Sequence, residues 1–124
     1  MRLEQILSPK LIRAYKAVEI RDSNTMIKLG LKDISPELVR AYKAAEIEDP
    51  DTMIKLDFYN VSPKMVQEYK AVEIDNPHTM IGLELSDVSP ELVKKYKAAG
   101  IEDPSTMIKL ALKRVNMYVM RKKK

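Results

Sequence analysis

Cysteine and tryptophan are absent from this 124-residue chain, which carries a single phenylalanine, a single histidine and three glycines. Without cysteine there is no disulfide framework, no zinc-thiolate centre and no thiol nucleophile, and a lone His78 cannot complete a His/Cys metal site. The glycines at 30, 82 and 100 are too scattered to form a Walker loop or a G-x-G-x-x-G turn. No uninterrupted apolar run reaches ten residues, which argues against a membrane span or a secretory signal core and points to a reducing, cytoplasmic compartment. No Ser-His-acid set can be assembled, so neither catalytic residues nor a cofactor are expected.

An excess of one charge is also missing from most of the chain. Lys and Arg number 22 against 18 Asp and Glu, but Arg121, Lys122, Lys123 and Lys124 supply the whole difference of four. The remainder is balanced, which disfavours a nucleic-acid-binding body. Any attraction to phosphate or acidic lipid is confined to that tail. Its simplest reading is a cation cluster completing the end of a helix; its functional reading is contact with an anionic surface.

What is abundant is repetition. The chain matches itself at a shift of 27 residues, giving a leader 1–7, four units 8–34, 35–61, 62–88 and 89–115, and an extension 116–124. The second and fourth units, SPELVRAYKAAEIEDPDTMIKLDFYNV and SPELVKKYKAAGIEDPSTMIKLALKRV, agree at 19 of 27 positions, and ten positions are the same in all four. One repeat domain spanning 1–124 is expected.

Each unit opens with a helix. Ser8, Ser35, Ser62 and Ser89 are N-caps, and the proline after each occupies the first helical position, where a missing N–H costs nothing. Leu38, Val39, Tyr42 and Ala45 form one narrow apolar stripe. The second half opens with Asp22, Asp49, Asn76 or Asp103, again a helix start. Two readings compete there. Ile54-Lys55-Leu56-Asp57-Phe58 alternates with period two, and Met53, Leu56 and Phe58 match the L-x-x-L-x-L spacing of an α/β leucine-rich-repeat-like solenoid. In the fourth unit, however, Ile108, Ala111, Leu112, Val115 and Val119 continue at helical spacing with no breaker after Ser105, which favours an all-α array of hairpins with a long closing helix.

Units such as SPELVKKYKAAGIEDPSTMIKLALKRV resemble short HEAT-like repeats, and are similar to bacterial tandem repeats in which T-P-E-Y-V-R-x-M-R-A-A-G precedes a segment ending L-I-x-L-R-x-H-G-V. The resemblance covers about 108 residues, units of 27. It implies a right-handed helical solenoid that binds other macromolecules and carries over no catalytic residue.

Stacked hairpins would align equivalent residues into columns. The Met26/53/80/107 and Tyr15/42/69/96 columns read as core, the tyrosines with hydroxyls at its boundary. Lys16, Lys43 and Lys70 precede Glu19, Glu46 and Glu73 by three residues, an ordinary helical charge pair that Gly100 interrupts after Lys97. Variation concentrates at the end of the second element. There Lys32, Asp57, Tyr59, Asn60, Glu84, Lys113 and Arg114 are the candidate partner-binding residues, on a surface suited to a protein or peptide, with Tyr59 a natural interface anchor. Arg121 to Lys124 are the alternative, anionic-surface site, and a purely structural array, designed or recently duplicated, is a third reading. Apolar Met117, Tyr118, Val119 and Met120 beyond the last unit suggest weak end-to-end pairing of two copies.

Overall fold

Nine-residue helices recur along the chain because each has its own start and stop signal. The computed structural model describes the backbone of residues 7–122 and side chains as far as Lys113. Eight helices and no strand are found among the described residues: α1 (Pro9–Ala17), α2 (Ser23–Leu31), α3 (Pro36–Ala44), α4 (Pro50–Phe58), α5 (Pro63–Ala71), α6 (Pro77–Leu85), α7 (Pro90–Ala98) and α8 (Pro104–Lys122). The chain is therefore an all-α helical-repeat protein, and the leucine-rich-repeat alternative is set aside. None of the described helices is long and apolar enough to cross a membrane. Side chains of the apolar stretch Met117–Met120 lie outside the described residues.

The starts are as the sequence implies. The hydroxyls of Ser8, Ser35 and Ser89 accept from the backbone N–H of Leu11, Leu38 and Leu92 at 3.1, 3.1 and 3.2 Å. Asp22, Asp49 and Asp103 each accept from both the N–H and the hydroxyl of the threonine three residues on, the hydroxyl distances being 2.8, 2.8 and 3.0 Å. That pair of hydrogen bonds gives the threonine, which the sequence pattern left unassigned, a role in three of the four repeats; in the third, Asn76 accepts from the backbone N–H groups of His78 and Thr79.

The stops are left-handed. Glu19, Glu46 and Glu73 end the first helices at φ near 66, 66 and 64°, and Gly100 does so at 89°; Asp33, Asn60 and Asp87 end the second helices at 57, 63 and 58°. At each the next residue donates back to the carbonyl five residues earlier, as Ile47 does to Tyr42 at 2.9 Å and Val61 to Leu56 at 2.8 Å, the Schellman pattern. The glutamate column thus marks a backbone requirement, and Gly100 is its least strained occupant. Asp and Asn tolerate this conformation better than most residues. Arg114 takes their place in the fourth unit, and there the helix runs on to Lys122.

The chain divides into two compact units after Pro63, with two repeats in each. In the first, α1 packs on α3 and α2 on α4, like against like as in a helical solenoid, and α3 packs on α4 within its hairpin; in the second, α6 and α7 both pack on α8. Tyr15, Tyr42 and Tyr69 are buried, and each hydroxyl donates across its own repeat to the residue that follows the second helix stop, Ile34, Val61 and Val88 respectively. The latter two bonds are 2.7 Å. These hydroxyls sit inside the core and close each hairpin, a deeper position than its boundary. Tyr96 is only half-buried, and Val115 at the matching acceptor position lies within α8, where its carbonyl is committed to the helix.

Tyr42→Phe is expected to leave the Val61 carbonyl buried and unpartnered, at a cost of about 1–3 kcal/mol in urea unfolding. Gly100 has open space where a methyl group would stand, but its backbone is left-handed. Gly100→Ala should therefore cost about 1–2 kcal/mol by strain alone, whereas Glu73→Gly should be neutral or stabilising in the same assay. Burial raises the pKa of Tyr42 and Tyr69 well above the ordinary value, helped by Asp57 and Glu84 respectively, and raises that of Tyr15 less. The folded chain then keeps protons that the unfolded chain releases above about pH 10. The tyrosines' contribution to stability should be level below that pH and fall by up to roughly 1.4 kcal/mol per pH unit per tyrosine above it; a melting temperature unchanged between about pH 9 and pH 11 would contradict the assignment.

Candidate binding surface

The second helices carry apolar residues on two opposite sides. With about 100° between successive residues, Phe58 points about 170° away from the midpoint of Met53 and Leu56. Met53 and Leu56 are fully buried, while Phe58 is 72% exposed. The same position holds Leu31, Leu85 and Leu112, at 70, 65 and 53% exposure. One turn earlier on the same side stand Ile27, Ile54, Ile81 and Ile108; Ile81 is buried and the others half-buried. Four of the five large apolar side chains exposed among the described residues therefore occupy a single repeat position. Scattered exposed leucines are ordinary, but exposure that recurs at one repeat position is not.

In the first unit this side opens into a groove of about 230 Å³ lined by Lys32, Ile54, Lys55, Asp57, Phe58 and Tyr59. Three candidate residues from the sequence, Lys32, Asp57 and Tyr59, are brought together here, Lys32 from the end of α2 and the others from α4 and its cap. The Phe58 and Tyr59 rings meet edge to face, centroids 5.0 Å apart and planes at 80°. Asp57 also lies toward Tyr42, whose ionisation it opposes.

The other candidates are elsewhere. Asn60 is the left-handed helix stop beyond α4. Glu84, in the second unit, is half-buried and accepts a 3.3 Å hydrogen bond from the Tyr69 hydroxyl. Lys113 is exposed on α8 beside Leu112. The side chains of Arg114, Arg121 and Lys122, and the whole of Lys123 and Lys124, lie outside the described residues. His78 is exposed in the first turn of α6, its backbone N–H bonded to Asn76 at 2.8 Å.

Away from the groove the surface is of mixed charge. A shallow cleft in the first unit is lined by Glu19, Arg21, Asp22, Lys43 and Glu48 among others, so Lys43 stands among carboxylates. Lys97, which lacks a glutamate three residues on, instead reaches Glu102 at 3.8 Å. Lys28 on α2 pairs with Asp51 on α4 at 2.9 Å, both well exposed, a contact worth at most about 1 kcal/mol. Among the described residues no three His, Cys, Asp or Glu side chains converge as a metal site would require, and no buried side-chain polar atom lacks a partner.

The sequence pattern did not single out Leu31, Phe58, Leu85 and Leu112 as exposed. The signal was available as the period-two alternation in Ile54–Phe58: on a nine-residue helix, alternating apolar residues cannot all face one side. No family model, curated protein or solved structure matches the chain.

Proposed function

We propose that the chain is a non-enzymatic repeat module that binds a protein or peptide partner through the outward side of its second helices. The observation that carries this reading is the large apolar side chain left exposed at the same position of every repeat. Met and Leu on the opposite side carry most of the core contacts of the second helices, and the isoleucine one turn earlier is at least half-buried, whereas the Leu or Phe at this position stays largely uncovered. Covering one exposed Leu or Phe is worth about 1.5–3 kcal/mol, ample to anchor an interface. The polar positions beside the anchor differ from repeat to repeat, as discrimination among partners needs.

Peptide-display selection on the full chain is expected to enrich a shared motif. Capture of the enriched peptides should fall about tenfold or more in Phe58→Ser or in Leu85→Ser, depending on the unit they occupy, and less in Tyr59→Ala, with helical circular dichroism unchanged. Selection without convergence, or enriched peptides indifferent to both serine variants, would remove the reading.

A further inference from the structure

Resting on that reading, we infer that the groove of the first unit takes an acidic peptide segment carrying one large apolar anchor. Its volume of about 230 Å³ falls short of the roughly 300–1,000 Å³ of pockets that enclose small molecules, and suits an inserted side chain. Ile54, Phe58 and the Tyr59 ring form the apolar wall. Lys32 and Lys55, both exposed, stand at its margins, and neither makes an ion pair among the described residues. Of the three charged residues that line the groove only Asp57 is negative, so the rim keeps an excess of positive charge. The rim therefore offers two uncommitted ammonium groups beside an apolar slot, complementary to carboxylates flanking a Leu or Phe.

Two other occupants fit less well. Pairing this face with its own copy about a two-fold axis would bring a lysine-bearing rim against an identical one, a like-charge contact. A nucleic-acid backbone would satisfy the lysines but leave the slot without an aliphatic or aromatic side chain, and charge outside the last four residues is balanced. At the matching places of the second unit the end of α6 supplies Ser86 and α8 supplies Lys109, so only one of the two rim lysines recurs there.

The test is fluorescence anisotropy on the full chain with three labelled peptides: one with a central Phe flanked by Asp and Glu, one with Lys replacing each acid, and one acidic with Ser replacing Phe. The acidic Phe peptide is expected to bind at least tenfold more tightly than either other probe, to weaken with salt, and to lose its advantage in Phe58→Ser. The double variant Lys32→Glu/Lys55→Glu should reverse the preference toward the basic peptide, an outcome that unfolding cannot produce. Equal binding of acidic and basic peptides, a preference unmoved by the double variant, or displacement of the acidic peptide by a single-stranded oligonucleotide whose own binding needs Lys32 and Lys55 would overturn the inference. If display-selected peptides still require Phe58 while charge has no effect, the acidic partner is wrong and the binding module stands; if Phe58 matters to neither set, both fall.

Discussion

A buried phenol needs an acceptor, and here the acceptor is a carbonyl presented by a left-handed helix stop. The turn after each second helix brings the chain back so that its next carbonyl points toward the first helix of the same repeat, and Tyr15, Tyr42 and Tyr69 reach it 19 residues away. Neither part works alone. Without the left-handed residue the helix would continue and absorb that carbonyl; without the tyrosine the carbonyl would be buried and unpaired. The fourth repeat shows the dependence within one chain: Arg114 replaces the Asx residue, α8 runs on, and Tyr96 is left half-buried where its counterparts are buried.

This clasp explains how so short a unit holds together. Nine-residue helices are too short to persist on their own. Each is bounded by capping interactions and a Schellman turn that satisfy free backbone groups, and the hydroxyl ties the first helix of a repeat to the turn that follows its second helix. The core then needs only one narrow stripe per helix: Tyr and Val on the first, Met and Leu on the second. On the other side of the second helix the isoleucine is buried or half-buried, but the Leu or Phe one turn later is left largely uncovered. An exposed apolar residue kept there by every repeat costs solubility, which is why the proposed function assigns it to a partner.

The architecture was largely legible. Serine and aspartate caps, prolines at the first helical position and the 27-residue period mark where every helix begins. What resisted was the type of the second element, because its apolar residues face two ways and blur the 3.6-residue period. Of the binding surface, variation between repeats pointed to Lys32, Asp57 and Tyr59, which do share a groove. It also pointed to Asn60 and Glu84, whose identities answer to a left-handed backbone and to the Tyr69 hydroxyl. Variation cannot separate a residue free to change from one changed to suit a local constraint. Leu31, Phe58, Leu85 and Leu112 are apolar in every repeat yet exposed, and the trace of this in the sequence is the period-two alternation of the second element.

In the proposed function, anchor and rim would divide the work of recognition. The apolar side chain at the constant position offers affinity with little discrimination, since one exposed Leu resembles another. Its polar neighbours add little energy at an exposed rim but penalise a partner of the wrong sign. The two units differ in this respect. The first places Lys32, Lys55, Asp57 and Tyr59 around Phe58, whereas the second places Glu84 and Ser86 around Leu85 and Lys109 and Lys113 beside Leu112. On the proposed reading the two units share an anchoring chemistry and differ in the polar groups that surround it. Because helix caps, helix stops and the tyrosine clasp occupy other positions of the repeat, substitutions at Lys32, Lys55 or Ser86 can retune that preference without reaching the interactions that hold the hairpins closed.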